Sequence, residues 1–343
     1  MEKKQRFQAQ FPDRFFLETD PEVLGSYLKR QSWIAPEESI TLLEKPGEGN
    51  MNFVLRVKTN SQSFILKQAR PWVEKYPQIE APVERVGVEA AFFAKVNKIE
   101  KLGIYSPTLK GFDEANGILA MEDLGQGADY LYLYQRGNAL AAADLEHLLD
   151  YLSVLHNHHF GNINFPDNLA MRQLNHEHIF NFPFVEENGF NLDNVQQGLQ
   201  AAAKPYKTDD ELKNKVSELG KLYLSPGACL LHGDYYPGSW LKVSAGLKVI
   251  DPEFGFIGLP EFELGVLIAH MMMAEQGEEI FYQIMDQYQF PKGFDSALLA
   301  GFAGTEILRR LIGIAQLPLS LNLEQKKALM RKAAQWILSS KME

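Results

Sequence analysis

Residues 229–234 read CLLHGD and residues 247–253 read LKVIDPE, and these two stretches decide how the rest of the chain is interpreted. In each stretch an apolar run, typical of a short buried strand, is followed directly by acidic residues. Asp234 follows the first run, and Asp251 and Glu253 follow the second. Because a strand that ends at an acidic residue directs its carboxylate into a cleft, we expect these three side chains at one site.

These three carboxylates match the parts that phosphoryl transfer requires. One carboxylate orients the attacking hydroxyl and accepts its proton, and others hold magnesium on the nucleotide phosphates. Asp234 fits the first role. Asp251 and Glu253 fit the second, because magnesium takes oxygen ligands and usually needs only one or two protein carboxylates. The alternative is two unrelated acidic turns, but the pattern favours a small-molecule kinase that uses ATP and Mg²⁺.

The composition indicates a folded, acidic protein. The 343 residues carry a formal net charge of −10 and are 45% hydrophobic, which favours two lobes with a sizeable core over disorder. No basic stripe could neutralise nucleic-acid phosphates, so we expect no nucleic-acid partner.

Cys229 is the only cysteine, which excludes an internal disulfide, and the longest apolar stretch, near residues 264–274, is too short to span a bilayer. We therefore expect a cytoplasmic protein with no membrane partner, and a homodimer is left open.

The pattern of strands and helices changes near residue 124. Before this point, turn-prone residues separate short β-rich runs, which predict strands at residues 39–45, 53–58, 63–68, 108–112 and 117–122. Helices are predicted from Pro21 to about residue 31 and over residues 83–102. After this point, amphipathic patterns predict helices at residues 140–156, 211–223, 261–275, 294–315 and 323–339. The order predicts an α+β, two-lobed fold that resembles protein kinases. Its β-rich N-lobe (residues 1–123) has one main helix, and its larger C-lobe (residues 124–343) is mostly helical.

Three elements of the predicted N-lobe suit a nucleotide. A glycine-rich turn between two strands would let backbone amides approach phosphates, although such turns are also common without a ligand. Its candidate residues are Gly47, Gly49, Asn50 and Asn52. Lys67 on the third strand can reach the phosphates while Glu89 on the next helix holds it, with Glu84 as the competing partner. The chain leaves the last strand through Met121, Glu122 and Leu124, where we expect the adenine to bind.

Several of these segments resemble one family of kinases. They are GEGNMN (47–52), ILKQA (65–69), MEDL (121–124), LHGD (231–234) and VIDPEFGF (249–256). Each is similar to the corresponding segment of the S-methyl-5-thioribose kinases, which belong to the aminoglycoside and choline kinase-like group. In addition, LRRLIGIA (308–315) resembles the twin-arginine segment at the substrate site of that family. The resemblance extends from about residue 44 to 316 and is weak over residues 125–225.

The resemblance implies transfer of the γ-phosphate of ATP to the anomeric hydroxyl of methylthioribose, a small-molecule substrate. By position, Asp234 would be the base, Lys67 would bind phosphate, and Asp251 and Glu253 would bind Mg²⁺. Arg309 and Arg310 would contact the sugar hydroxyls and the transferring phosphoryl group, since guanidinium groups can bind oxygens in pairs. Without the resemblance, this pair would be interpreted as a solvated helix face or as salt-bridge partners of Glu306.

Departures from the family pattern keep other acceptors open. Residues 235–239 read YYPGS where the family usually has Leu-His-Thr-Gly-Ser, and Glu263 stands where an aspartate is usual. The alternatives are a kinase of another small alcohol, such as an aminoglycoside, choline or a hydroxy amino acid, and a nucleotide-binding pseudokinase. His156, His158 and His159 lack the pattern of a zinc site and are expected at a helix end or at the surface.

Overall fold

A computed structural model describes residues 3–47, 51–160 and 164–342, and within them the predicted N-terminal strands form one five-stranded antiparallel sheet. The strands are β1 (Ile40–Glu44), β2 (Phe53–Thr59), β3 (Ser63–Gln68), β4 (Leu109–Asp113) and β5 (Ile118–Glu122). Their order in the sheet is β1-β2-β3-β5-β4, so β3 lies between β2 and β5. The prediction of these strands is confirmed.

Helices accompany this sheet, and their bounds are α1 (Lys3–Gln10), α2 (Pro21–Arg30), α3 (Arg85–Val96) and α4 (Glu100–Gly103). The side chain of Asp20 caps the start of α2, which is the ordinary role of an aspartate at that position. Leu24 and Leu28 of α2 share one side of the helix and join Leu55 and Leu66 of the sheet in an apolar core. The sheet is therefore covered on this face by α2.

The single helix predicted over residues 83–102 is wrong, because two helices, α3 and α4, occupy this range. The break lies at Asn97, whose side-chain amide donates to the carbonyl of Pro107 and whose side-chain oxygen accepts the amide hydrogen of Leu109. These bonds hold Asn97 to the segment that leads into β4, ten and twelve residues further along the chain. The same bonds connect the end of α3 to the start of β4.

The described chain divides into two compact units. The first comprises Met1–Gly127 together with Lys248–Phe254, and the second comprises Ala128–Leu247 together with Gly255–Glu343. Asp251 and Glu253 consequently belong to the first unit with the sheet, whereas Asp234 belongs to the second.

The second unit is mainly helical, as predicted. Its helices are α5 (Ala142–Asn157), α6 (Leu169–His176), α7 (Leu199–Thr208), α8 (Asp210–Leu224), α9 (Pro260–Met273), α10 (Glu278–Gln287), α11 (Ser296–Ile312) and α12 (Leu323–Ser339). The remaining strands of the chain are β6 (Gly127–Asp129), β7 (Cys229–Leu231), β8 (Trp240–Val243), β9 (Gly246–Val249) and β10 (Phe256–Gly258). β7 pairs with β10 in antiparallel register. Of the helices in the described ranges, none combines the length and apolar character that a membrane crossing requires.

Two glycines let α11 approach its neighbouring helices closely. A Cβ atom at Gly265 of α9 would lie 3.0 Å from the backbone nitrogen of Ala303 on α11. A Cβ atom at Gly304 of α11 would lie 2.5 Å from the carbonyl oxygen of Ala333 on α12. Both distances are below ordinary van der Waals contact. A side chain at Gly304 would force α12 to move, and one at Gly265 would require α11 to shift by a few tenths of an ångström. The packing fixes the axis of the helix that carries the two predicted arginines.

Candidate active site

Lys67 is the centre of a buried charge cluster in the first unit. It lies on β3, where the paired strands β2 and β5 flank it on both sides. Its Nζ donates to the side chain of Glu89 at 2.7 Å and to that of Asp251. Burial acts to lower the pKa of Lys67, but the charges of Asp251 and Glu89 outweigh burial and raise this pKa above its ordinary value. Lys67 is therefore a protonated amine next to an accessible carboxylate.

Asp251 has the two properties expected of a carboxylate that receives a ligand. Its side chain is 43% exposed, although it contacts the buried Lys67. Its backbone is left-handed, with φ at 64°. Non-glycine residues rarely adopt this conformation, and such residues are concentrated at functional sites.

Glu253 is held in place by two side chains of the first unit. Asn52 donates from Nδ2 to Glu253 at 2.8 Å, and the Nε of Arg85 lies 3.2 Å from the same carboxylate oxygen. Burial raises the pKa of Glu253, while the charges of Arg85 and Lys67 act to lower it. The carboxylates of Asp251 and Glu253 are oxygen donors of the type that Mg²⁺ prefers, so the residues fit this metal. No larger group of His, Cys, Asp and Glu side chains converges on a metal site in the described ranges.

Arg85 is a residue of the candidate site that the sequence interpretation missed. It is fully buried at the first position of α3, and its guanidinium also donates to the carbonyls of Met51, Arg70 and Pro82. A cation in the first turn of a helix opposes the helix dipole. That unfavourable placement is the one sequence signal that marks Arg85 as a residue with a specific partner.

Of the other predicted nucleotide residues, the described ones lie on the sheet or next to it. Gly47 is exposed, whereas Gly49 and Asn50 lie outside the described residues. Met121 is buried on β5, and the carboxylate of Glu122 accepts the amide and hydroxyl hydrogens of Thr108. Leu124 follows β5 and is half-buried.

In the second unit, Asp234 follows β7 on a loop that Glu263 braces. The Oε1 of Glu263 accepts the amide hydrogen of Gly233 at 2.7 Å, and its Oε2 accepts that of His232 at 3.1 Å. Gly233 has φ at 84°, which glycine adopts without strain. The glutamate found where an aspartate is usual therefore still reaches the loop. The Oγ of Ser239 donates to the carbonyl of Asp234 at 2.7 Å and closes the turn from the other side.

His156 supports Glu263 from α5. Its Nε2 lies 2.9 Å from Glu263, and its Nδ1 lies 2.7 Å from the hydroxyl of Tyr288. His156 is at the helix end, as expected, but it is buried, so the surface alternative is wrong for it. His158 and His159 are exposed. His156 can be buried because both of its ring nitrogens have hydrogen-bond partners, which buried polar groups need.

Arg309 and Arg310 lie in the last turn of α11 and are both buried, so the solvated-face interpretation is wrong. Both donate from Nε to Glu306, one helical turn earlier. The Nη2 of Arg310 lies 3.9 Å from Asp234 Oδ1, and its guanidinium covers the ring of Tyr236 at 5.0 Å. Burial raises the pKa of Asp234, and the charges of Arg310 and Arg309 act against this rise. The structure thus brings a half-buried carboxylate and a buried guanidinium together.

The comparison with known proteins identifies the family of this chain. The family model described as APH, phosphotransferase enzyme family, matches residues 43–302. The chain belongs to this family. It is a small-molecule phosphotransferase that acts on a hydroxyl acceptor, and the kinase activity of such relatives implies ATP as the donor.

Several relatives are named methylthioribose kinases. The chain is 25% identical to the one from Exiguobacterium sibiricum, with 79% of each chain covered, and 26% identical to the one from Bacillus pumilus, with 78% of each covered. Among solved structures, the choline kinase LicA from Streptococcus pneumoniae has a TM-score of 0.50 and 14% identity, covering 92% of this chain and 99% of that one. The structural likeness shows the protein-kinase-like fold.

Proposed function

We propose that this chain transfers the γ-phosphoryl group of ATP to a hydroxyl of S-methyl-5-thioribose or a closely similar sugar. The observation that carries the proposal is the buried pair Arg309 and Arg310, with Arg310 Nη2 3.9 Å from the candidate base Asp234. Guanidinium groups bind the oxygens of hydroxyl and phosphoryl groups. A cationic acceptor such as choline would be repelled by two buried cations. The methylthioribose kinase relatives support the same acceptor.

In the proposed reaction, Asp234 accepts the proton of the acceptor hydroxyl as the hydroxyl oxygen attacks the γ-phosphorus. The bond between that phosphorus and the oxygen of the β-phosphate breaks, and ADP leaves. The raised pKa of Asp234 favours this proton transfer, because a base with a higher pKa accepts a proton more readily. Arg309 and Arg310 stabilise the negative charge on the transferring group.

The first unit supplies the nucleotide contacts of the proposal. Lys67 binds the phosphates while Glu89 holds its amine, and Asp251 and Glu253 would hold Mg²⁺. Bound Mg²⁺ supplies charge neutralisation and orientation of the phosphate oxygens. The backbone at the end of β5 and directly after it, from Met121 to Leu124, contacts the adenine.

The test compares acceptors under identical conditions. S-methyl-5-thioribose, choline, an aminoglycoside and a hydroxy amino acid are each supplied with ATP and Mg²⁺, and ADP release is followed. We expect the highest kcat/KM with the thioribose. Turnover of another alcohol without turnover of the thioribose would show that the sugar assignment is wrong.

The role of Asp234 is tested separately with Asp234→Asn, which keeps the shape and removes the base. We expect kcat to fall by about 10²–10⁴-fold, the usual contribution of a general base, while ADP binding measured by calorimetry is retained. Asp150→Asn, an exposed carboxylate on α5 of the same unit, serves as the control and should keep wild-type activity. Wild-type kcat in Asp234→Asn would exclude it as the base.

We also propose a cytoplasmic location, and a homodimer stays a prediction. Cell fractionation and sedimentation velocity measure these two properties directly.

A further inference from the structure

A buried polar chain lies behind the two arginines of the second unit. Tyr134, at the end of the 3₁₀ turn Leu131–Tyr134, places its hydroxyl 2.5 Å from Nδ1 of His270 on α9. The Nε2 of His270 lies 3.0 Å from Oε1 of Glu306 on α11. His270 is 0% exposed, and Tyr134 and Glu306 are almost as deeply buried. His270 therefore links three separate elements, with Tyr134 on one side of its ring and the Glu306 carboxylate on the other.

The direction of each hydrogen bond in this chain follows from the protonation of its members. Burial acts to raise the pKa of Glu306, but Arg309 and Arg310 outweigh it and hold this pKa well below its ordinary value. An ionised carboxylate only accepts hydrogen bonds, so Nε2 of His270 must carry the proton. Burial lowers the pKa of His270 to about 4, which makes the ring neutral and leaves Nδ1 as an acceptor. Tyr134 therefore donates to His270, and His270 donates to Glu306.

Glu306 in turn fixes one side of each arginine. Its Oε2 accepts the Nε hydrogen of Arg309 and its Oε1 accepts that of Arg310, at the i,i+3 and i,i+4 spacings of one helix face. Within the described ranges, the two terminal nitrogens of Arg309 make no hydrogen bond. Those of Arg310 lie 3.4 Å from the carbonyl of Ala315 and 3.9 Å from Asp234. Both guanidinium groups are thus held by Nε, and Nη1 of Arg310 also donates to Ala315. The terminal nitrogens of Arg309 and Nη2 of Arg310 remain available to an acceptor.

We propose that Glu306, His270 and Tyr134 are positioning residues of the acceptor site, which hold Arg309 and Arg310 so that their terminal nitrogens meet the oxygens of a neutral or anionic acceptor. The inference rests on the acceptor role proposed above for the two arginines. Without the donation from His270, one lone pair of Glu306 would be unsatisfied in the interior, and the carboxylate would be free to rotate toward one arginine. Two buried cations that share one carboxylate need that carboxylate in a fixed orientation.

The first test removes and then restores the donor at position 270. In His270→Leu we expect KM for S-methyl-5-thioribose to rise by about tenfold or more, since a misplaced charged hydrogen bond weakens binding by this order. KM for ATP should change by less than about twofold, because only one substrate loses its contacts. His270→Gln should recover most of the loss, because its side-chain amide can donate in place of Nε2.

The matched control is Thr305→Val, a buried near-isosteric change on the same helix that removes a hydrogen bond to the carbonyl of Gly301. It should leave both KM values within about twofold of wild type, since the affected bond lies within the helix backbone. If His270→Leu leaves the acceptor KM unchanged, or raises both KM values alike, the positioning role is excluded. Should His270→Leu not fold, Tyr134→Phe removes the far donor with the ring retained and must raise the acceptor KM selectively.

A crystallographic comparison separates this inference from the choice of substrate. If the wild type does not phosphorylate S-methyl-5-thioribose, the proposed function is wrong, but the positions of the two guanidinium groups can still be compared. Crystal structures of wild type, His270→Leu and Tyr134→Phe should show the arginine side chains displaced in the variants. Arginine side chains in unchanged positions would overturn the inference whatever the acceptor is.

Discussion

At the scale of single residues, the surroundings of Asp234 have two opposite effects on the pKa of its carboxyl group. Burial disfavours the charged form and raises its pKa, whereas Arg310 and Arg309 favour the charged form. The result is a base that holds a proton more readily than a surface aspartate. If Asp234 is the base, as proposed, we expect its ionisation to control the low-pH side of the activity profile.

This balance leads to a prediction for Arg310→Gln. Because Asp234 must be ionised to accept a proton, kcat/KM should fall as the pH decreases through its raised pKa. Removal of the Arg310 charge takes away the main force that lowers this pKa, so the acidic limb should move to higher pH. The plateau should fall by about 10²-fold, as for other lost charge-stabilising donors.

The pH dependence is measured as kcat/KM across the acidic limb for wild type and variant. Lys242→Gln is the control, because Lys242 is an exposed cation of the same unit that pairs with Asp144. The acidic limb of kcat/KM for Lys242→Gln should coincide with that of wild type. A limb that moves to lower pH in Arg310→Gln would contradict the proposed pairing with Asp234.

A second prediction at this scale concerns Arg85, which links the residues after the glycine-rich turn to Glu253. In Arg85→Met the buried Glu253 loses its cation, and several carbonyls lose their donor. We expect the free energy of unfolding to fall by about 3–5 kcal/mol, as for other broken buried pairs. Urea unfolding measures this loss, and Lys98→Met, an exposed change just after the end of α3, should stay within about 0.5 kcal/mol. A loss as small as that of the control would mean that Arg85 adds no net stability.

At the scale of elements, the sequence predicted best those helices whose ends carry local signals. α12 was expected over residues 323–339 and has these bounds, because Asn322 and Gln325 form a capping box before an amphipathic run. α1, α6, α7 and α10 were not predicted. Each has ten residues or fewer, and the helicity of such short segments depends on tertiary packing more than on local signals.

The close packing of α11 gives a prediction at the same scale. Gly304→Ala places a methyl group against the carbonyl of Ala333, so α11 and α12 must separate. We expect unfolding free energy to fall by about 1–3 kcal/mol, the usual effect of overpacking. The acceptor KM should also rise, because α11 carries both arginines. Gly103→Ala in α4 is the matched control, since its new methyl group would meet its nearest backbone atom at 3.5 Å. Equal free energies of unfolding for the two variants would show that the interface between α11 and α12 accommodates the added methyl group.

At the scale of the whole molecule, the negative net charge of the chain does not reveal the buried cations of the candidate site. The chain carries a formal net charge of −10, yet its candidate site residues include the buried cations Lys67, Arg85, Arg309 and Arg310. Composition therefore predicts no nucleic-acid partner but could not indicate where a phosphate site lies. The motifs around Asp234 and Asp251 predict residues of such a site, because the residues of each motif are close in sequence.

The connections among the site residues could not be predicted in the same way. Arg85 meets Glu253, and Tyr134 meets His270, across long separations in the chain. The hydrophobic periodicity of the sequence does not indicate which residues far apart in the chain are in contact. Only single residues gave a signal. Arg85 is a cation in the first turn of α3, and His270 is a polar residue within the apolar run of α9, which must have a partner if it is buried.

Nucleotide binding should stabilise the whole protein in a metal-dependent way. With Mg²⁺ present, ADP at roughly 100 times its Kd should raise the free energy of unfolding by about 2.7 kcal/mol, by mass action alone. Removal of Mg²⁺ with EDTA should abolish most of this increase in the free energy of unfolding, and thermal unfolding can measure the change. Stabilisation by ADP that does not respond to EDTA would argue against Asp251 and Glu253 as metal ligands.

The left-handed backbone at Asp251 determines which mutants can be interpreted. Alanine at this position would remove the carboxylate and also introduce a side chain that tolerates φ of 64° poorly, so two effects would be mixed. Asparagine tolerates the same conformation and removes only the charge, while glycine adopts it freely and removes the whole side chain. An alanine scan would overstate the importance of this carboxylate, whereas the asparagine and glycine variants together separate its chemistry from the shape of the chain.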